Sequence, residues 1–217
     1  MEAIKGEWSA KLVEGTGQKI EKVNDNSVRV IVDQSQGRGK GGKEIDLKPF
    51  LSANVYLDSD DLLIQKLAKQ AKGKAKSPKA IANKLTQFVF RYITNKNYGV
   101  GFATAGEVAR NKEGDCTEHS MLLAALGRAL GIPSRVVTGL VYADEFEDQK
   151  DVLVYHMWTQ FYMDDQWVNL DSALGLVKCP ADRITFSVDS LEEDIIASAL
   201  PLMELINNLK VTVQSVE

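Results

Sequence analysis

The segment from residue 114 to residue 135 constrains the fold of this chain more than any other part of its sequence. Cys116 stands shortly before apolar residues that recur at helical spacing, namely Leu122, Leu123, Leu126, Ala129 and Leu130. Asp115 is a residue type that caps helix N-termini, and Gly131 followed by Pro133 is typical of a helix end. The sequence therefore predicts a largely buried helix that carries Cys116 in its first turn.

Cys116 occupies a position that favours a nucleophilic thiol. The unpaired N–H groups and the macrodipole at a helix N-terminus favour negative charge, and therefore favour the thiolate. The alternative interpretation is a small buried cysteine that behaves as an inert hydrophobe. This segment alone gives the two interpretations about equal weight.

Residues 152–163 and 166–171 have the pattern of a β-hairpin. The first run alternates and is rich in aromatic and β-branched residues, and the two aspartates between the runs are a turn signal. With a two-residue loop, Trp158 lies opposite Asp171. His156 then lies on the same face, one diagonal step from Asp171 and roughly 7–8 Å from it between Cβ atoms. A bulge or a longer turn would change that offset, so the firm prediction is the shared face.

Cys116, His156 and Asp171 together have the composition of a nucleophilic triad. A carboxylate beside a histidine fixes the tautomer of the ring and stabilises the imidazolium, and an imidazolium beside a cysteine activates the thiolate. The alternative interpretation is a partly buried histidine on a sheet next to an unrelated turn aspartate. The order Cys, His, Asp, from one helix and one hairpin, makes the triad plausible.

Residues 114–142 and 156–175 resemble the core of the transglutaminase-like superfamily, specifically its bacterial branch, and the similarity runs from about residue 52 to about residue 188. The resemblance implies an α+β, papain-like core in which the cysteine helix packs against an antiparallel sheet. It also implies that Cys116 is the nucleophile, His156 the general acid and base, and Asp171 the orienting carboxylate. Cross-linking transglutaminases, peptidases and amidases all belong to this superfamily.

Glu118, His119 and Trp158 are predicted to support the site. A Cys116–His119 dyad is conceivable because residues three apart are neighbours on a helix. We disfavour it, since a base on the same helix would lie beside the backbone of the nucleophile with poor access to the leaving group. We expect Glu118 and His119 to shape the groove or to satisfy polar atoms beneath it, as in bacterial relatives with a similar Thr-Glu-His run. Trp158 is expected to wall the site or, more simply, to pack.

The other elements follow from caps and periodicity. Helices precede a run of strands, which favours an α+β fold over a doubly wound α/β fold. Strands are predicted over residues 136–142 and 184–188, and further helices are expected in the region before the cysteine helix. Their predicted N-caps are Asp58 or Ser59, Ser77 and Thr104.

The composition is that of a protein with one good core. The chain has 217 residues, a net charge of −4 and a pI of about 5.4, which gives no support for nucleic-acid binding. We interpret residues 1–50 as a strand-and-loop extension of the kind that ends an upstream domain, and residues 51–217 as the catalytic domain. We find no membrane-spanning run and no secretory signal in the sequence. Because residues 1–50 look like the end of another domain, we expect a fragment whose targeting signal would lie upstream, with a weak preference for an extracytoplasmic, periplasmic location.

Two alternatives use the same residues differently. Cys116, His119, His156 and Cys179 make a nominal Cys₂His₂ zinc set, but only Cys116 and His119 have ligand-like spacing. The second alternative is a domain of this fold that only binds proteins. We favour an enzyme that needs no metal or organic cofactor, with Cys179 as a spare thiol.

The predicted activity is acyl transfer or hydrolysis at amide bonds through a thioester on Cys116, with a peptide or protein as substrate. Hydrolysis is the first choice. Cross-linking of protein glutamines is the alternative. It is not the first choice, because it requires a site that admits an amine while excluding water. The sequence does not predict an oligomeric state.

Overall fold

The computed structural model describes residues 2–3, 12–13, 17–24, 27–33, 46–97, 103–192 and 209–212. These residues form four α-helices and two four-stranded antiparallel sheets. The fold is therefore α+β, as the sequence predicts. None of the helices in these ranges is long and apolar enough to cross a membrane.

The four helices of the described ranges lie between residues 62 and 129. They are α1 (Leu62–Lys72), α2 (Pro78–Tyr92), α3 (Ala105–Asn111) and α4 (Cys116–Ala129). The predicted caps of α2 and α3 are present: the Ser77 side chain accepts from the N–H of Ala80, and Thr104 forms a reciprocal capping box with Glu107.

The predicted cap of α1 is wrong. The N-cap is Asp61, whose Oδ1 accepts from the N–H groups of Leu63 and Ile64 at 2.7 and 3.2 Å. Asp58 instead accepts from the N–H of Gly106 at 2.9 Å, at the start of α3. Residues 58–61 are four polar residues in a row, and only the tertiary contact of Asp58 with α3 shows that the cap lies further along than the two predicted residues.

The main sheet follows the helices. Its strands are β4 (Ser134–Phe146), β5 (Gln149–Met163), β6 (Gln166–Leu170) and β7 (Arg183–Asp189), in the order β6-β5-β4-β7. Because β6 and β7 are the two edges, the connection over residues 171–182 has to pass across β5 and β4. The end of β6 and the start of β7 are thereby brought to one region of the molecule.

The smaller sheet joins residues from the two ends of the described chain. It contains β1 (Glu2–Ala3), β2 (Gln18–Asn24), β3 (Ser27–Val32) and β8 (Leu209–Lys210), in the order β2-β3-β1-β8.

Gln18 connects the smaller sheet to the main one. Its buried side-chain amide donates to the carbonyl of Thr185 and accepts from the N–H of Thr185, both at 2.8 Å. Leu12, Val28, Leu140 and Phe186 form an apolar cluster beside this contact. The division of the chain at residue 50 stays a prediction.

Helix α4 is the centre of the core. Residues 121–126, six in a row, have no exposed surface. A helix that is hydrophobic around its whole circumference has to be enclosed on every side, and α1, α2, α3 and β5 all contact α4. This explains why the sequence shows a continuous apolar run after Ser120 instead of one stripe.

Gly127 marks the closest approach of α4 to the sheet. A Cβ atom at this position would lie 2.3 Å from Ser134 Oγ and 2.6 Å from Phe161 Cζ. Because Ser134 begins β4 and Phe161 lies in β5, a side chain at residue 127 would push the helix away from both strands.

We predict that Gly127→Ala destabilises the protein, although alanine favours helices over glycine by roughly 1 kcal/mol. Overpacking at a closed contact costs about 1–3 kcal/mol and should outweigh this gain. Chemical denaturation monitored by circular dichroism measures the difference. A variant as stable as wild type, or more stable, would show that α4 and the sheet have room to separate.

Candidate active site

Cys116 is the first residue of α4, as predicted, and the turn around it is held by a reciprocal capping box. The Asp115 side chain accepts from the N–H of Thr117 at 2.8 Å and also from the N–H of Glu118, while Glu118 Oε2 accepts from the N–H of Asp115 at 3.0 Å. The N–H of Cys116 has no acceptor among the described residues. The box therefore occupies the neighbouring donors and leaves the one on the cysteine available.

Hydroxyl groups fix the first turn of α4. Ser120 Oγ donates to the carbonyl of Cys116 at 2.7 Å. Ser172 Oγ and Thr159 Oγ1 donate to the carbonyls of His119 and Ser120, both at 3.0 Å. Since Thr159 lies in β5 and Ser172 follows β6, these bonds hold Cys116 in a set position relative to the hairpin.

The hairpin has the predicted two-residue turn. Asp164 and Asp165 have φ angles of 51° and 59°, and Met163 pairs with Gln166. Positive φ at both turn residues is the type I′ geometry, which matches the twist of the flanking strands. The register continues to the pair of Thr159 and Leu170. The next positions along the two strands are therefore Trp158 and Asp171, as the sequence predicts.

His156 lies between Asp171 and Cys116. Its Nε2 donates to Asp171 Oδ2 at 2.8 Å, and the Cys116 thiol lies near enough to the ring to raise the pKa of His156. Because Nε2 is occupied by the carboxylate, Nδ1 is the nitrogen left for the thiol. The His156 side chain is 12% exposed and that of Asp171 is 0% exposed, while Cys116 is half-buried, so the row runs from the surface inward.

The surroundings of His156 favour its charged form. Burial of the ring lowers the pKa, but the hydrogen bonds and negative charges of Asp171 and Cys116 outweigh it and raise the pKa of His156 to about 9. At neutral pH the ring is an imidazolium, which is the form that can donate a proton to a leaving group.

Asp171 accepts from four donors. The N–H groups of Ala173 and Leu174 donate to Oδ1, each at 3.1 Å, while Oδ2 accepts from His156 and, at 3.0 Å, from Arg183 Nη1. Burial raises the pKa of Asp171, but these hydrogen bonds and the two positive charges overcome that effect and lower it. The carboxylate stays ionised although it is fully buried.

The sequence analysis missed Arg183. The predicted strand begins at residue 184, one residue later than β7 does. The sequence signal that was available is a charged residue directly before an apolar, β-branched run. If such a residue is buried in the strand, it requires a partner of opposite charge, because arginine is rarely buried unpaired.

His119 is buried and has no free ring nitrogen for Cys116. Its Nδ1 donates to the carbonyl of Asp115 at 2.5 Å, and Lys96 Nζ donates to its Nε2 at 2.7 Å. Burial, with a further contribution from the charge of Lys96, lowers the pKa of His119 to about 4 against the opposing effect of Asp115. His119 is therefore neutral and supports the turn before Cys116 from below.

Glu118 is also buried beneath this turn. Its Oε2 completes the capping box, while its Oε1 is buried without a hydrogen-bond partner among the described residues, and burial raises the pKa of Glu118 to about 7. Gly114, with a φ of 143°, packs closely against the Glu118 side chain. A Cβ atom at residue 114 would lie only 2.3 Å from the Cβ of Glu118. Glu118 thus shapes the approach of the chain to Cys116.

Trp158 is fully buried and packs, as the simpler expectation had it. Its ring is stacked with the His156 ring at 6.3 Å between centroids and 19° between planes. Its Nε1 donates to Asn169 Oδ1 at 2.9 Å. It therefore supports one face of the His156 ring from inside the protein.

The four residues of the zinc alternative do not form one cluster. In the described ranges, no group of three or more His, Cys, Asp and Glu side chains is placed to hold a metal ion. Both nitrogens of His119 are occupied by other groups, and Cys179 is buried, with its pKa raised to about 12 by that burial.

Comparison with known proteins identifies the domain. Residues 65–172 match the family model of the transglutaminase-like superfamily. The chain contains a transglutaminase-like domain. This agrees with the resemblance seen in the sequence. None of the curated proteins compared with the chain matches it.

The solved structures that are similar to this chain include the following two. A candidate cysteine protease from Cytophaga hutchinsonii is 24% identical with a TM-score of 0.57, over 69% of this chain and 48% of that one. The periplasmic domain of TgpA from Pseudomonas aeruginosa, bound to ethylmercury, is 20% identical with a TM-score of 0.49, over 69% of this chain and 56% of that one. The chain thus spans about half the length of these proteins, and the first likeness shows the fold.

We predict that neither histidine titrates between pH 5 and pH 8. The chain has two histidines; His156 has a pKa of about 9 and His119 of about 4. The stabilisation from His156 is complete below its ordinary pKa of 6.5 and is lost as the pH rises through about 9. That from His119 is present above 6.5 and is lost as the pH falls through about 4. Nitrogen-15 NMR of the imidazole rings measures both.

Cys116→Ala is the matched variant for this titration. Removing the thiol removes a hydrogen bond and a negative charge from His156, so the pKa of His156 should fall, while that of His119 should not change. A histidine in the wild type that titrates near 6.5 would contradict the geometry of the site.

Proposed function

We propose that this protein is a thiol-dependent enzyme that cleaves amide bonds in a peptide or protein, with Cys116, His156 and Asp171 as a triad. The observation that carries the proposal is the placement of the His156 ring, with Nε2 at 2.8 Å from the buried carboxylate of Asp171 and the ring near enough to the Cys116 thiol for the thiol to raise its pKa. A transglutaminase-like domain is consistent with this chemistry.

The first half of the reaction forms a thioester. The Cys116 thiolate attacks the amide carbonyl, and the carbonyl electrons move onto oxygen. His156 donates its proton to the departing amine as the carbon–nitrogen bond breaks. The raised pKa of His156 provides the imidazolium that this step requires at neutral pH.

The oxyanion is stabilised by the N–H of Cys116. This donor has no acceptor among the described residues, because it lies at the start of the helix and the capping box uses only its neighbours. A donor that is already oriented before the reaction stabilises the developing charge without reorganisation. The positive end of α4 acts in the same direction.

The second half of the reaction releases the acyl group. His156 is neutral after it has given up its proton, so it can accept one from the incoming nucleophile as that nucleophile attacks the thioester. With water as the nucleophile the product is a carboxylic acid, and with a primary amine it is a new amide. We propose hydrolysis first, since it requires only water at the half-buried Cys116.

An extracytoplasmic location stays a prediction.

Substrate screening tests the function directly. Peptide substrates and a glutamine amide, each with and without a primary amine, should release an amine, and mass spectrometry should detect an acid product in preference to a new amide. Cys116→Ala should abolish turnover without loss of fold, since alanine favours helices and is of similar size. Cys179→Ser is the matched control, because Cys179 is buried, and it should keep nearly all activity.

The outcomes of the screen separate the candidates. New amide formation that dominates over hydrolysis would identify a cross-linking enzyme. If Cys116 does not react with thiol-reactive probes and no substrate is turned over, a protein-binding domain is favoured.

We predict that His156→Ala impairs turnover more than Asp171→Asn. Loss of a general acid and base costs about 10²–10⁴-fold in rate, whereas asparagine can still accept from Nε2 of His156 through its side-chain oxygen. Steady-state kinetics under saturating substrate compares the two kcat values. Equal activity of wild type and His156→Ala would remove His156 from the mechanism.

A further inference from the structure

Arg183 is a buried cation that the reaction described above does not use. Its side chain is 1% exposed, and its Nη1 donates at 3.0 Å to Asp171 Oδ2. The same oxygen accepts from His156 Nε2 at 2.8 Å. One carboxylate oxygen therefore serves a permanent cation and a titratable one.

Other contacts fix the guanidinium in this place. Arg183 Nε donates to Asp182 Oδ1 at 3.0 Å. Its Cζ lies 5.4 Å from the centroid of the Trp158 ring, which in turn is stacked with His156. Arg183 is thus held from two sides while it reaches Asp171.

Stability does not by itself account for an arginine at this position. Arg183 Nη2 is buried without a hydrogen-bond partner among the described residues. Removing a charged group from water is costly, and replacement of a buried ion pair by apolar residues is often neutral or stabilising. A charge kept under these conditions calls for a role in the chemistry of the site.

The proton transfers of the proposed reaction supply that role. When His156 donates its proton to the leaving amine, its positive charge disappears. Asp171 would then be a fully buried carboxylate facing a neutral ring, which is the condition under which a carboxyl group takes up a proton. Arg183 cannot lose its charge at ordinary pH, so it compensates Asp171 throughout the cycle.

We propose that Arg183 is a positioning residue of this site: it holds Asp171 in the ionised state and keeps Oδ2 aimed at His156 Nε2 in every step. The inference rests on the proposed function for its catalytic consequence, although the ionisation of Asp171 can be measured without turnover. The lowered pKa of Asp171 is in accord with it.

The test compares Arg183→Met with Arg183→Lys and with Arg135→Met in the full chain. Arg135 is a matched control, because it is also a buried arginine placed over an indole, with Cζ at 3.9 Å from the centroid of Trp167, but its Nε pairs with the amide of Gln160. Two readouts are used: the pH dependence of kcat and KM, and the NMR signal of the His156 Nε2–H between pH 4 and pH 7.

In Arg183→Met the acid limb of kcat should move up by about 1–3 pH units, the shift expected when an adjacent positive charge is removed from a carboxylate. The His156 Nε2–H signal should change with the same midpoint, and kcat should fall at neutral pH with KM nearly unchanged. Arg183→Lys should restore the acid limb in part, because it keeps the charge but not the planar geometry. Arg135→Met should show the wild-type limb.

An unchanged acid limb and an unchanged His156 signal in Arg183→Met would overturn the inference, whatever the loss of stability. If Arg183→Met does not fold, Arg183→Lys decides: a kcat and an NMR signal equal to wild type would overturn the inference, because a lysine has no second nitrogen for Asp182 to hold while the first reaches Oδ2. The NMR signal requires no substrate. Failure of the proposed function, seen as no turnover of any substrate, is therefore distinguishable from failure of the role of Arg183.

Discussion

The site depends on how the first turn of α4 is attached to the strand hairpin. Cys116 comes from the helix, and His156 and Asp171 come from β5 and from the residue after β6. The distance from Cys116 to His156 and Asp171 is therefore set by the packing of α4 against the hairpin and not by local geometry. The hydroxyls of Thr159 and Ser172 bond helix carbonyls of this turn, and they do so from the same two chain segments that carry the histidine and the aspartate.

The burial of charge around this attachment is graded. Cys116 is half-buried, the His156 ring is nearly buried, and Asp171 and Arg183 are inside the protein. Solvent can screen the outer end of the row but not the inner end, so the inner groups interact more strongly with one another than with water. An ionised carboxylate can be placed so deep because four donors surround it.

Much of the helix and of the hairpin that carry the site could be predicted, because both depend on residues that are close together in the sequence. The helix at Cys116 has a cap and an apolar run, and the hairpin has two aspartates in a type I′ turn, which fixes the register and with it the neighbourhood of His156 and Asp171. The α+β class followed from the order of the elements.

The contacts that were not predicted join residues far apart in the chain. Arg183 meets Asp171 because the connection after β6 crosses the sheet, and Lys96 meets His119 because residues before α3 pass under α4. No periodicity in the sequence marks such a meeting. The prediction of the α1 cap was wrong for the same reason, since Asp58, one of the two predicted caps, accepts from the N–H of Gly106 on another helix.

The ion pair of Asp171 and Arg183 has a mechanical consequence. Asp171 directly follows one edge strand and Arg183 begins the other, so the pair ties the two margins of the main sheet together above Trp158. The margins of a sheet are ordinarily where it frays first, each independently of the other. Here the loosening of either margin would break a buried ion pair, so the pair couples the two margins. The alignment of His156 with its carboxylate is thereby protected from small movements of the sheet.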